Sequence, residues 1–164
     1  MDLIHLADPD GNRCIVRVTG RSQPGVLTGH DILHADVLVS ASFIDARLDL
    51  YLLQHDLDSW EQELSNLGPG QTVSIGGDRG LSLDIHVRED GWLPIQVGDP
   101  DRLTTALGTR PQEDWTAECR RRLEQLRLIW PRDVIETAPG AYEWAPIASG
   151  DHRSLHPTSR FQVQ

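Results

Sequence analysis

The chain has 164 residues and a formal net charge of −10, with two cysteines, one methionine and fifteen basic residues that are all arginine. That length suits a single domain burying about two-thirds of its unfolded surface, so neither disulfides nor a structural metal is needed for stability. The acidity argues against nucleic acid as a partner, since such binding rests on cations neutralising phosphates. No segment approaches the ~20 apolar residues of a membrane-spanning helix, and MDLIHLADPDGNR lacks a signal peptide's basic start and apolar run, so a cytoplasmic protein is expected.

From the N-terminus, LIHLADPDGNRCIVRVTG reads as a hairpin with strands near residues 2–7 and 13–19, turned by Asp8-Pro9-Asp10-Gly11. Cys14 in the second strand belongs to no CxxC pair, and with Cys119 it reads as a buried thiol. After the polar connection RSQPGVLTGH come HADVLVSA and FIDARLDLYLL. In the latter, Ile44, Ala46, Leu48, Leu50 and Leu52 alternate with Phe43, Asp45, Arg47, Asp49 and Tyr51, the period of a strand with one dry and one wet face.

The period then changes. Leu57, Trp60, Leu64 and Leu67 form a helical stripe, with Asp58 spaced as an N-cap, Glu61 as its capping-box partner and Gly68-Pro69-Gly70 as the stop, which predicts a short helix. Strands resume with QTVSIGG, the glycine-bearing turn GGDRG and LSLDIHVRED, in which Leu81, Leu83, Ile85 and Val87 face one way and Ser82, Asp84, His86 and Arg88 the other. WLPIQVG returns as a further strand, and Pro94 marks it as an edge or a bulge.

PDRLTTALGTRP reads as a link to a long helix near residues 111–130, whose stripe is Trp115, Cys119, Leu123, Leu126 and Trp130. Arg120, Arg121 and Arg127 should be solvated near Glu124, with Arg122 bordering the stripe. Beyond Pro131 the sequence has no sustained periodicity, and residues 148–164 read as a weakly ordered or docked tail. No internal repeat is apparent. The expected fold is α+β: one antiparallel, meander-like sheet of about six or seven strands, with a short and a long helix on its dry face, forming a single domain over residues 1–147.

Three constellations bear on function. Residues 29–67 hold eight carboxylates against Arg47 alone, so −7 of the −10 lies there, and Asp45, Asp49, Asp56, Asp58, Glu61 and Glu63 are the candidate acidic face for a basic protein partner. HDILH places His30 and His34 four apart with Asp36 following, a metal-ligand candidate. On a strand those histidines would stand about 13 Å apart, so a loop would have to bring them together with a third ligand. His86, on a wet face with Asp84, is the candidate for acid–base chemistry.

Trp92 and Trp144 are the candidate exposed aromatic contacts, and an apolar patch around either would suit an accessory subunit of a larger assembly. GGDRG leads into a strand and not into the helix N-terminus that a phosphate loop requires. No catalytic residue is assigned and no cofactor is expected.

The stretches DLIHLADPDGNRCIVRVTGR, GVLTGHDILHADVLVSASF and LDLYLLQHDLDSWEQEL resemble a family of small actinobacterial proteins known only as a domain of unknown function. The likeness spans about residues 1–100 and is sharpest at Asp56-Leu57-Asp58-Ser59-Trp60 and at GDRG. It implies a common fold and brings no catalytic residue. The layout also resembles, at the level of fold alone, bacterial immunity proteins that block toxins, which implies a non-enzymatic module presenting acid to a basic partner.

Overall fold

In a computed structural model, residues 1–22, 32–77, 80–111 and 114–145 are described, Leu103 without its side chain. The first half runs β1 (Asp2–Ala7), β2 (Arg13–Arg21), β3 (Leu33–Ala41), β4 (Ile44–Leu52) and α1 (Gln54–Asn66). The second half repeats that order with β5 (Thr72–Gly76), β6 (Ser82–His86), β7 (Leu93–Asp99), β8 (Leu103–Thr109) and α2 (Trp115–Ile129). A hairpin of β9 (Val134–Ala138) and β10 (Ala141–Trp144) follows. The structure thus repeats four strands and a helix where the sequence shows no repeat.

The α+β class and the antiparallel meanders agree with the sequence reading, but the single sheet of six or seven strands does not. The described residues form ten strands in three sheets, ordered β1-β2-β3-β4, β5-β6-β7-β8 and β9-β10. Two segments account for the difference. LTTALGT reads as a link in the sequence because small residues blur its two faces, yet it pairs along its whole length with β7, from Leu93↔Thr109 to Asp99↔Leu103. The hairpin β9-β10 escapes a periodicity test because nearly all of it is exposed, leaving no wet and dry alternation to read.

β7 is therefore an inner strand despite Pro94. The β6–β7 ladder ends at Ile85↔Ile95, so Pro94 lies beyond its last rung and its missing N–H interrupts nothing on that side.

The helices do not lie together across one dry face. α1 packs against β5 and α2 against β1, each beside the opening strand of a meander. Side chains fix these contacts: the Ser74 N–H of β5 donates to Glu63 Oε2 at 2.7 Å, and Arg122 donates to the Asp2 carbonyl of β1 at 3.4 Å. Both opening edges are thereby covered, which is how sheets avoid adventitious pairing. Arg120 joins the helices by donating to the Leu64 carbonyl at 2.7 Å, so it is not the solvated residue that its helical position suggests.

One core serves both sheets. Leu3, Leu6, Val16, Val37 and Leu52 of the first meet Val73, Leu83, Ile95 and Val97 of the second, with Trp60 and Leu64 of α1 and Leu123 and Leu126 of α2 among them. Trp60 is fully buried. Gly76 of β5 sits against Leu50 of β4: its φ is +81°, and a Cβ there would lie 2.6 Å from the Leu81 carbonyl oxygen and 2.7 Å from Leu50 Cδ1.

α1 begins four residues before the predicted Asp58 cap. Its N-cap is Leu53, whose N–H donates to Asp56 Oδ2 at 2.7 Å, so Asp56 at the third helical position supplies half of a capping box. The predicted span 111–130 contracts to Trp115–Ile129, because Asp114 caps the helix by accepting from the Ala117 N–H.

Candidate functional site

The outer face of the first sheet carries the densest set of functional side chains. Strand alternation directs Leu33, Ala35, Val37 and Val39 into the core and leaves His34 and Asp36 on the other face. Register then decides what they meet. Arg17 of β2 and Asp49 of β4 flank Asp36 as direct cross-strand partners, while Tyr51 is the partner of His34.

Asp36 is buried at 4% exposure, yet both of its oxygens are held: Arg47 Nε donates to Oδ1 at 3.0 Å and its Nη2 to Oδ2 at 2.9 Å. This forked pairing compensates a buried carboxylate that also faces the like charge of Asp49. His34 Nε2 lies 3.0 Å from Asp49 Oδ1 and Nδ1 lies 2.8 Å from Thr19 Oγ1. With Nε2 protonated the ring donates to Asp49, while the Thr19 hydroxyl faces both Nδ1 and the His34 carbonyl, to which it donates at 3.1 Å. The ring also packs against Tyr51, with centroids 5.3 Å apart.

His34, Asp36 and Asp49 each offer a ligand atom, and these atoms lie within 4.8 Å of one another. A nitrogen and two carboxylate oxygens suit a divalent transition ion with positions left open to water. To bind, the ion must expel the Nε2 proton and share Asp36 with Arg47. His30, the other histidine of HDILH, lies outside the described residues. Sequence reasoning missed Asp49 as the third member because Ser42-Phe43, the two-residue turn that sets the β3–β4 register, carries none of the usual hairpin signals.

The six carboxylates expected to form one acidic face have different roles. Asp45 and Asp49 lie on the outer face of β4, and Asp45 has no partner among the described residues. Asp56 is buried at the N-terminus of α1, which removes it from any surface a partner could touch. Arg127 of α2 donates to Asp58 Oδ1 and Glu61 Oε2, each at 2.7 Å, and Glu63 is bound to the edge of β5. Two of the eight carboxylates in residues 29–67, Asp58 and Glu61, are therefore paired with one arginine of α2, Arg127, a pairing that sequence distance conceals.

On the second sheet, Asp84 accepts from Ser74 Oγ at 2.6 Å and His86 Nδ1 lies 3.1 Å from Thr72 Oγ1. His86 and Asp84 thus each pair with a hydroxyl across β5, and the strand neighbours of Asp45 and Asp49 lie in the other sheet. Trp92 lies over Gly108, with the Arg110 guanidinium 5.9 Å from its ring centroid. Trp144 is half-buried beneath Arg21, 3.5 Å from guanidinium carbon to ring centroid. Both tryptophans are therefore partly covered.

Burial pushes the thiols of Cys14 and Cys119 up to about 12, as expected of packing residues. Hydrogen bonds from Arg121 and then Arg122 hold Glu118 down at about 2. Glu118 and Arg122 border an open groove of about 490 Å³ between β1 and α2, lined also by His5, Asp8 and Trp115. No helix among the described residues is long and apolar enough to cross a membrane.

Neither the curated proteins nor the solved structures contain a match to the chain. The model of a family of unknown function, DUF5959, matches residues 1–131, through both meanders and both helices, and the chain belongs to that family.

Proposed function

We propose that the protein is a non-enzymatic, cytoplasmic recognition module that binds a basic protein partner through the outer row of β4. The observation that carries this reading is the row itself: Asp45, Arg47, Asp49 and Tyr51 are all exposed along β4, with Phe43 exposed in the turn that precedes it. Aromatic rings and arginine are the side chains richest in binding energy at interfaces, and flanking carboxylates steer a cationic partner. Arg47 is already oriented by Asp36, so its ordering costs less on binding. An inhibitory role against a basic toxin is one form this module could take, and two unpaired buried thiols suit a reducing compartment.

The test is a pull-down from lysate with the intact protein beside an Asp45→Asn/Asp49→Asn/Tyr51→Ala variant, at low and moderate salt. Retention of a basic protein by the first and its loss from the second supports the reading. Equal retention by both counts against it.

The convergence of His34, Asp36 and Asp49 favours a second reading, a divalent-ion site on the same face. Titration with Co²⁺ would give d–d absorption that His34→Ala abolishes, and a featureless titration would discard this alternative.

A further inference from the structure

We propose that the partner docks by adding an extended strand to the edge of β4 at residues 44–49, which is unpaired among the described residues, an inference that rests on the recognition reading above and specifies its geometry. Of the edges in the two larger sheets, β1 is covered by α2 and β5 by α1. β4, among the described residues, ends the first sheet and pairs only with β3. Among the described residues, no backbone or side-chain hydrogen bond reaches the other side of residues 44–49. Toward its end the strand is closed off, since Leu50 meets Gly76 of β5 and is 2% exposed.

Two rows of side chains define what fits. On the core side, Ile44, Ala46 and Leu48 pack on the core but remain partly uncovered, so the core itself is open beside this edge. An added strand with apolar residues on that side would complete it. On the outer side, Asp45 and Asp49 flank Arg47. Cross-strand complementarity then calls for basic residues opposite the two aspartates and a polar or acidic residue between them, alternating with the apolar row.

β8, the other closing edge, carries Thr104, Ala106 and Gly108 on its outer face and has no charge to select a partner. Pairing of β4 with a second copy depends on register: centring on Leu48 would set Arg47 against Asp49, so a dimer is an outcome the test must read. In the register centred on Arg47, by contrast, Arg47 would face its own copy and Asp45 would face Asp49, like charges throughout.

The probe is a labelled synthetic peptide, Val-Arg-Val-Thr-Val-Arg-Val, compared with the same peptide carrying methylated backbone nitrogens. Binding is read by fluorescence anisotropy at low salt, with amide hydrogen exchange on the intact protein. Methylation removes the donors that strand addition needs while keeping every side chain, so it should weaken binding about tenfold or more. Ala46→Lys, which places a charge on the core side of the edge, should weaken it comparably while circular dichroism shows the fold retained. Exchange protection should appear within residues 44–49.

Equal affinity for the methylated peptide would overturn strand addition while leaving recognition through the outer row standing. A wild-type protein that ignores every peptide would also overturn it, and the pull-down would then decide the recognition reading independently. So would sedimentation showing a dimer whose β4 amides are protected before peptide is added.

Discussion

Arg47 grips Asp36 from the neighbouring strand with both arms of its guanidinium, at 3.0 and 2.9 Å, although Asp36 is nearly buried and the Arg47 side chain is 69% exposed. The asymmetry makes a directional prediction. Arg47→Met removes the exposed partner and leaves a buried carboxylate directly opposite Asp49. Exposure of Arg47 and the nearby Arg17 moderate the loss, so about 1–3 kcal/mol of stability should disappear in urea unfolding. Asp36→Asn in the same background should recover part of it; an additive double mutant would show that the pair is not coupled.

Trp92 and Gly108 make a second coupled pair. A Cβ on Gly108 would collide with the indole ring, and its backbone has no positive φ, so the obstacle is steric alone. The half-buried ring can swing outward at the cost of its contact with the sheet. Gly108→Ala should therefore destabilise the protein by about 1 kcal/mol and expose Trp92. In a Trp92→Phe background the same change should cost less, and an unchanged cost would place the clash elsewhere.

The parts of the fold legible in the sequence were those with contrast between two faces. β4 and β6 alternate cleanly, and both helices have a stripe that ends in the core. β8 lacked contrast because Thr, Ala and Gly pack acceptably on either side, and β9-β10 because it buries almost nothing. The site was half legible for a different reason. His34 and Asp36 share a face by period alone, whereas Asp49 and Arg47 join them only through a register set at Ala41↔Ile44. Arg127 lies still further beyond sequence inference, since its pairing with Asp58 and Glu61 depends on how two helices meet.

Glu118 predicts an acid limb in stability. Hydrogen bonds from Arg121 and then Arg122 lower its folded value to about 2 from an ordinary 4.5. A carboxylate depressed in the folded state contributes stability fully above its unfolded value and loses it as pH falls through the folded one. The difference in unfolding free energy between wild type and Glu118→Gln should hold at neutral pH and fade between about 4.5 and 2. Asp2 and Asp114, lowered chiefly by hydrogen bonds from Arg17 and Thr116, act in the same direction. A difference independent of pH would mean that Glu118 contributes through packing and not charge.

The two thiols offer a readout of global opening. Cys14 and Cys119 are buried, unpaired and pushed up to about 12, so neither presents a thiolate at neutral pH. Ellman's reagent should leave the native protein unlabelled and titrate both cysteines in denaturant, at a native-state rate that tracks unfolding free energy. Cys14 lies on β2 inside the core and Cys119 on α2 against it. Faster labelling of Cys119 alone would reveal α2 detaching while the first sheet stays folded.

Asp56 separates stability from recognition among the carboxylates of the middle segment. Its side chain is buried and accepts from the Leu53 N–H at the start of α1, whereas Asp45 and Asp49 stand on the exposed row of β4. Asp56→Ala should remove the cap and cost about 1–2 kcal/mol, with Asp56→Asn milder because an amide oxygen can still accept. Neither change should alter partner capture once the protein is folded, since the side chain has no surface to offer. Asp45→Asn/Asp49→Asn should do the reverse, leaving thermal stability nearly unchanged and slowing association in a salt-dependent way. Were Asp56→Asn to weaken capture as strongly as the β4 pair, the partner would have to contact the start of α1, and the docking surface would move from the strand edge to the helix.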